Sequence, residues 1–332
     1  MGIISKIVFC CVTLLISMAL MALKEKSLFA TVKCKLPFPT YFISHGGPLL
    51  GDRNHFMTDK GAYDTLKAIG EEIIELKPDY LVVVSGHFQS DERDTIQISV
   101  NNAGKGYENK MIYDFYGFPD ETYQQKFVSK SSPTLGLLVH EELTRSGFNA
   151  KIVDRGIDHG VWVPLRVAFG ETLDIPLVEV SLPDSDSFSD SYKLGKALKN
   201  LRDELIWDPD TKKDIKGLIV CSGTSVHNLR DLQRSFSYPG QVMPYGKPFH
   251  ELLQHTFEKS TPLTLAQNLN NLKKDANYSQ LLYQAHPTLD HFLPFIVATG
   301  SNDGNSELET IYVNESFSLG WGMYKFNSRL KG

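Results

Sequence analysis

The chain has 332 residues, of which 42% are hydrophobic and 22% are charged, and its formal net charge is −5. This composition is ordinary for a globular protein, and the absence of a lysine or arginine cluster argues against nucleic acid as a partner. The four cysteines do not form a disulfide framework, because Cys10 and Cys11 lie in an apolar N-terminus.

Residues 1–30 form an apolar N-terminal segment that differs from the rest of the chain. An apolar run extends over residues 7–23, with Lys6 before it and Lys24 and Lys26 after it. Its length is the lower limit for a membrane-spanning helix and slightly long for a signal-peptide core. We therefore expect a membrane-anchored or organelle-targeted protein. The alternative is a cytoplasmic protein that starts at Met18, at Met21 or at another start.

After a linker at residues 31–39, strands and helices alternate in one domain over residues 40–332. The predicted strands are Tyr41–Ser44, Tyr80–Ser85, Ile96–Val100, Ile152–Val153, Ile175–Leu182 and Gly217–Ser222, followed by a pair at 310–313 and 318–324. The predicted helices are Thr58–Leu76, Pro133–Ser146, Val163–Leu173, Ser189–Leu205, Phe249–Phe257 and Thr288–Thr299. This alternation predicts an α/β fold: a single domain with a central, mostly parallel mixed sheet flanked by helices.

Histidines follow several predicted strands. His45, His87 and His227 each come after an apolar run that ends in small residues, and His291 lies near the start of the last predicted helix. In open α/β sheets, ligands bind outside the carboxyl ends of the strands. Neutral imidazole is the commonest protein ligand for metals, so these positions predict a metal site.

Other motifs could complete such a site. His159 lies in the turn that begins Asp158-His159-Gly160, where Asp158 could orient an imidazole or cap the turn. His286 competes with His291 for the same role, and spacing does not separate them. If His291 has that role, His286 is a candidate for lining the substrate. The aromatic residues Tyr113, Phe115, Tyr116 and Phe118 could form the wall for a flat ring or pack a loop. No role is assigned to the remaining histidines, which are His55, His140, His250 and His255.

These motifs, in this order, resemble the class III extradiol ring-cleavage dioxygenases, and most of all the DOPA extradiol dioxygenase-like branch. The resemblance covers roughly residues 40–325. It depends on residues 43–48, 85–87, 112–119, 158–165, 222–229 and 286–294. The apolar N-terminus and an insert around residues 207–216 are not part of the common core.

The resemblance implies a non-haem metal site formed by His45, His87 and His291. It implies that His227 is the acid/base histidine beside the metal, or a fourth ligand when the site holds zinc. His159 is implied to line the substrate and oxygen side. The implied substrates are O₂ and a catechol such as DOPA, whose ring is cleaved next to its two hydroxyls.

Iron(II) is the expected metal, because zinc is redox-inert and does not supply the redox chemistry of ring cleavage. The usual iron oxygenase site has two histidines and one carboxylate, which leaves Asp290 and Glu179 as alternative ligands. Three histidines with an open position also describe catalytic zinc, so a zinc-dependent hydrolase or amidase is the alternative function. A third interpretation is that the protein is a relative that binds a ligand without catalysis. The presence of His227 and His159 beside the candidate metal ligands argues against it.

Overall fold

The computed structural model describes residues 29–34, 37–101, 107–261, 264–302 and 308–326. A single compact unit begins at Thr31. The predicted anchor at residues 7–23 lies outside the described residues. Among the residues that are described, no helix has both the length and the apolar character needed to cross a membrane.

Strands and helices alternate along most of the described chain. The strands are β1 (Thr31–Lys33), β2 (Thr40–Ser44), β3 (Tyr80–Gln89), β4 (Thr95–Ser99), β5 (Val128–Ser129), β6 (Asn149–Val153), β7 (Thr172–Leu173), β8 (Leu177–Leu182), β9 (Glu204–Asp208), β10 (Lys213–Ile215), β11 (Gly217–Gly223), β12 (Val226–His227), β13 (Leu308–Tyr312), β14 (Glu315–Ser316), β15 (Leu319–Gly320) and β16 (Met323–Phe326). The helices are α1 (Lys60–Leu76), α2 (Pro133–Arg145), α3 (His159–Phe169), α4 (Phe188–Leu198), α5 (Asn200–Asp203), α6 (Leu232–Ser235), α7 (Gly246–Glu258), α8 (Leu265–Lys274), α9 (Ala276–Ala285) and α10 (Leu293–Ser301).

The central sheet has eight strands in the order β13-β16-β2-β11-β3-β8-β4-β6. Its middle strands β2, β11, β3 and β8 run parallel to their neighbours within that group. Strands β16 and β4 join this group in the antiparallel sense, β16 beside β2 and β4 beside β8. The predicted α/β fold with a mixed, mostly parallel sheet is therefore confirmed.

Helices cover both faces of the sheet, because alternate residues of each strand point to opposite sides. Tyr41 and Val83 belong to a buried cluster with residues of α1 and α3, among them Trp162. Phe42, on the other face of β2, packs its ring edge-on against Phe295 of α10, with 5.2 Å between the ring centroids. The carboxyl ends of the parallel strands thus meet at one edge between two helical layers.

Several predicted boundaries are wrong. Strand β3 continues through His87 and ends at Gln89. Helix α3 begins at His159, with Pro164 inside it, and residues 172–173 are a strand. His291 lies in the turn before α10, whose first residue is Leu293.

Further differences lie around residue 204. The helix predicted over residues 189–205 is divided into α4 and α5 and is followed by strand β9. The insert around residues 207–216 includes the end of β9 and strand β10, which pair antiparallel. Within the predicted linker, β1 pairs with the other edge of β9. Together, β1, β9 and β10 form a separate three-stranded sheet.

Candidate metal centre

Four imidazoles gather at the carboxyl edge of the sheet. Nε2 of His87 lies 3.2 Å from Nε2 of His45 and 3.1 Å from Nε2 of His291. His45, His87 and His159 also present ring nitrogens that all lie within 4.8 Å of one another. The structure therefore brings the three predicted ligands together and places His159 beside them.

Pro164 indirectly fixes the orientation of His45. A proline inside a helix has no N–H for the carbonyl four residues earlier, which here is that of Gly160. The Ser222 hydroxyl donates to the Gly160 carbonyl instead. Since that hydroxyl proton is engaged, Ser222 Oγ accepts from Nδ1–H of His45 at 3.0 Å. The lone pair of His45 is then on Nε2, the atom that faces His87.

Carboxylates hold the other rings in the same way. Nδ1–H of His291 donates to Asp290 Oδ2 at 2.8 Å. Asp114 accepts from both the backbone N–H and Nδ1–H of His159, each at 2.9 Å. The second oxygen of Asp114 lies 3.5 Å from Nδ1 of His87. Metal-bound histidines usually have such a partner on the nitrogen that does not bind the metal, and it fixes both ring orientation and tautomer.

Burial keeps two of the clustered rings, His45 and His87, neutral. Burial, together with the neighbouring imidazoles, lowers the pKa of His45 well below its usual value. The same causes, with burial the largest, lower the pKa of His87 to about 3. Neutral imidazoles have free lone pairs, so near pH 7 these two rings can bind a cation without first losing a proton.

The two nitrogen separations around His87 fit ligands of a single metal ion. A metal–nitrogen bond of about 2.1 Å places two ligand atoms about 3.0 Å apart at a right angle and about 3.4 Å apart at the tetrahedral angle. The separations of 3.1 Å and 3.2 Å around His87 fall between these limits. Donor type, the neutral charge of His45 and His87, and the spacing around His87 therefore fit a divalent transition metal.

Two glycines allow the elements of the site to approach one another. A Cβ at Gly160 would collide with the Ser85 hydroxyl and lie 3.0 Å from the His87 ring. A Cβ at Gly223 would collide with the His291 carbonyl. Glycine is required at both positions because backbone and side chains from neighbouring elements occupy that space.

His227 and His286 have different surroundings. The His227 ring stacks on that of His291, with 3.5 Å between the centroids and 12° between the planes. Burial and the neighbouring His291 lower its pKa well below the usual value. His286 is fully buried, and its Nε2–H donates to the Ser225 carbonyl at 2.9 Å. The structure therefore brings His227, but not His286, against a candidate ligand.

The aromatic residues of the predicted ring wall occupy three environments. The Phe115 ring stands edge-on to His159, with 5.6 Å between the centroids. Tyr113 packs against Phe115, and its hydroxyl donates to the Gln125 carbonyl at 2.7 Å. Tyr116 is 89% exposed. Phe118, like Tyr113, packs against Phe115, with 5.4 Å between the ring centroids. Of the four, only Phe115 has a ring contact with a site histidine.

The alternative carboxylate ligands lie behind the imidazoles. Glu179 is fully buried and accepts from Arg155 at 3.3 Å and from the Asp158 backbone at 3.4 Å. Burial and the adjacent Asp158 raise its pKa well above the usual value. Arg155 also donates to the His87 carbonyl at 3.0 Å. Asp290, as described above, contacts the outer nitrogen of His291.

Three contributors had no role in the sequence analysis. Asp114 orients His159, Ser222 orients His45, and Arg155 holds the backbone of His87. Asp114 and Ser222 belong to motifs on which the family resemblance depends, and that membership was the one sequence feature that could have pointed to them. Arg155 lies three residues before Asp158, with which it forms an ion pair at 3.0 Å, and its spacing alone gave no signal.

Comparison with known proteins identifies the class of enzyme. A family model described as the catalytic LigB subunit of aromatic ring-opening dioxygenase matches residues 39–324. The chain therefore belongs to this family. The membership confirms the predicted resemblance to the class III extradiol dioxygenases, and with it the predicted type of enzyme.

Individual relatives agree with this assignment. The chain is 30% identical to a 4,5-DOPA dioxygenase extradiol of Beta vulgaris over 87% of this chain and 96% of the relative. It is 31% identical to a 4,5-DOPA dioxygenase extradiol-like protein of Schizosaccharomyces pombe, over 81% of this chain and 87% of the relative. An uncharacterized Escherichia coli K12 protein of known structure shares the fold, with a TM-score of 0.62, 22% identity and coverage of 87% of this chain and 99% of that one.

The buried His286 predicts a pH dependence of stability. Burial lowers its pKa from 6.5 to about 3. Because the unfolded chain binds this proton more readily, His286 stabilises the fold fully above pH 6.5, and this contribution is lost as the pH falls toward 3. In His286→Gln the amide can still donate to Ser225. We expect the slope of unfolding free energy against pH to decrease by up to about 1.4 kcal/mol per pH unit.

Urea unfolding of the metal-free protein at a series of pH values between about 4 and 7 measures this slope. His255→Gln, at an exposed position, is the control. Equal slopes for His286→Gln and the unmodified protein would contradict the assignment.

Proposed function

We propose that this protein uses O₂ and iron(II) to cleave the aromatic ring of a catechol such as DOPA next to its two hydroxyls. The observation that carries the proposal is the convergence of imidazole Nε2 atoms, 3.1 Å and 3.2 Å apart, whose rings are held by partners on Nδ1. The names of the Beta vulgaris and Schizosaccharomyces pombe relatives support the choice of substrate class.

We assign the metal to His45, His87 and His291. Nε2 of His291 lies at the separation from His87 that two ligands of one ion require. His159 is the alternative third ligand, because its ring nitrogen also lies within 4.8 Å of those of His45 and His87. Three protein ligands leave positions for both catechol oxygens and for O₂. Iron(II) bound there supplies the one-electron chemistry that links an aromatic diol to O₂.

His227 is assigned as the acid/base group. Its ring stacks on His291 and is neutral near pH 7, so one ring nitrogen has a free lone pair within the site. That nitrogen can take a proton from the catechol hydroxyl and return it to the ring-opened product. His227 as a fourth ligand is the zinc-site alternative.

His159 and Phe115 are assigned to the substrate side. Nδ1–H of His159 donates to Asp114, which leaves the lone pair on Nε2 to accept a hydrogen bond from a substrate hydroxyl. The face of Phe115 or its edge can lie along a flat ring beside His159. Tyr113 supports Phe115 from behind, and Tyr116 can contact only the part of a substrate that extends toward solvent.

Variants of single histidines test the ligand assignment. We expect His45→Ala, His87→Ala and His291→Ala each to weaken metal binding by more than about 100-fold, because each removes a ligand and not only its support. We expect His159→Ala and His227→Ala to bind metal with stoichiometry unchanged, and to lose turnover by about 10²- to 10⁴-fold. Bound metal per chain and steady-state turnover are the two measurements.

His255→Ala, on the exposed side of α7, is the control for removal of an imidazole. If His291→Ala kept its metal and His159→Ala lost it, His159 would be the third ligand. Loss of metal from His227→Ala would make His227 a ligand.

Oxygen uptake with a matched pair of substrates tests the reaction. The full-length protein, reconstituted anaerobically with iron(II), is expected to consume one O₂ per DOPA and to form a yellow ring-opened semialdehyde. 3-O-Methyl-DOPA is expected to give neither signal, because methylation blocks one of the two oxygens that must reach the metal. The His227→Ala protein serves as the background.

Equal uptake with both substrates would argue against binding through both oxygens. The hydrolase alternative would be favoured if the folded, metal-loaded protein were inactive on a panel of catechols but hydrolysed amides or esters with zinc. Three imidazoles are also a suitable ligand set for such a zinc enzyme.

A further inference from the structure

Ser225, His250 and Glu315 form a buried chain of hydrogen bonds close to the candidate metal centre. Ser225 Oγ lies 2.7 Å from Nε2 of His250, and Nδ1 of His250 lies 2.6 Å from Glu315 Oε1. The three side chains come from the segment before β12, from α7 and from β14. Ser225 is fully buried and His250 is 6% exposed, whereas the Glu315 side chain is 18% exposed, so the bond between Ser225 and His250 is the one shielded from water.

The direction of each hydrogen bond follows from the chemistry of the groups. An ionised carboxylate only accepts, so Nδ1–H of His250 donates to Glu315. In the neutral ring, Nε2 then accepts from the Ser225 hydroxyl. Ser225 Oγ in turn accepts from the Gly322 backbone N–H at 2.6 Å. All of these hydrogen bonds are satisfied when His250 is the neutral Nδ1–H tautomer.

This arrangement has the order of a serine–histidine–carboxylate triad, but its surroundings do not suit a nucleophile. Ser225 has no exposed surface, and its oxygen already accepts from Gly322. A substrate carbonyl therefore has no path to this hydroxyl. The three groups must act on the protein itself.

The chain of bonds fixes two backbone segments that carry site histidines. The Ser225 backbone N–H donates to Ser44 Oγ at 3.2 Å, and the Ser44 hydroxyl donates to the Gly322 carbonyl at 2.8 Å. Ser44 directly precedes His45, and Ser225 lies two residues before His227. Ser225 is thus held through its hydroxyl and its N–H, and Ser44 connects it to β2.

We propose that the Ser225–His250–Glu315 chain positions His227, with His250 as a positioning residue that holds the start of β12 through the Ser225 hydroxyl. The proposal rests on the acid/base role assigned to His227 above. It differs from the ligand assignment, because none of these three side chains reaches the imidazole cluster. Loss of the bond to Ser225 is expected to lower turnover without loss of metal.

Two substitutions of His250 separate its two hydrogen bonds. In His250→Asn the side-chain amide takes the place of Nδ1, keeps the bond to Glu315 and loses Ser225. In His250→Gln the amide oxygen takes the place of Nε2, keeps Ser225 and loses Glu315. His255→Asn and His255→Gln, on an exposed position of the same helix, control for helix propensity.

We expect His250→Asn to lower kcat by about 10- to 100-fold, the range found for residues that orient groups at a metal site. The KM of His250→Asn for catechol is expected to remain within about twofold of that of the unmodified protein, and the variant is expected to bind one metal per chain. His250→Gln is expected to keep most of kcat. Unchanged kcat in His250→Asn would overturn the proposal. A fall in thermal stability with unchanged turnover per folded molecule would also overturn it, since the role would then be only structural.

A measurement without turnover keeps this test separate from the proposed reaction. In full-length protein labelled with ¹⁵N-histidine, His250 is expected at pH 7 as the Nδ1–H tautomer. The His227 resonances are expected to shift in His250→Asn and to remain unchanged in His255→Asn. An Nε2–H tautomer of His250, or His227 resonances that do not respond, would overturn the proposal even if the protein cleaved no catechol. Failure of ring cleavage alone, with these spectra as expected, would overturn only the proposed reaction.

Discussion

The site depends on keeping several imidazoles neutral, close together and turned so that their Nε2 atoms face one another. Four rings at such short distances would repel strongly if they were charged, and burial already disfavours the charged form. The same burial makes each N–H require a partner. Ser222, Asp290 and Asp114 supply those partners on Nδ1 of three of the rings. Their hydrogen bonds decide where the lone pairs point, and therefore where a metal can bind.

The fold supplies this arrangement through ordinary features of an α/β sheet. Parallel strands β2, β11 and β3 deliver small residues and histidines to one edge, where the turn before α10 adds His291. Pro164 interrupts the hydrogen bonding of α3 and frees a carbonyl for Ser222. Gly160 and Gly223 leave the space that the neighbouring elements fill. A local irregularity in one helix is thus connected to the orientation of His45, a candidate ligand on another element.

Much of this could be predicted from the sequence because strand ends are local signals. The apolar runs before His45 and His87 predicted that both histidines lie at one edge of the sheet, and the order of the motifs indicated the family. The start of α3 was predicted too late, since proline normally marks the first turn of a helix and here lies inside one. Strand β3 passes through His87 because it pairs with β8 again at Gln89. This pairing joins segments that are distant in sequence, so the local pattern did not predict it.

The supporting contacts were out of reach of sequence reasoning for a related reason. His250 lies on an amphipathic helix, and periodicity shows which face is buried but not which distant side chain meets it. Its partners are 25 and 65 residues away in the chain. The pairing of β1 with β9 also joins distant segments, neither of which has a distinctive pattern.

X-ray absorption of the full-length protein, reconstituted anaerobically with iron(II), tests the central claim most directly. We expect one metal per chain, with imidazole scattering from three histidines and metal–nitrogen distances of about 2.1 Å. That scattering is expected to fall by one imidazole in His291→Ala and to stay unchanged in His227→Ala. Substoichiometric metal in the folded protein, or a metal bound mainly by carboxylate oxygens with fewer than two imidazoles, would contradict the assignment of His45, His87 and His291 as ligands.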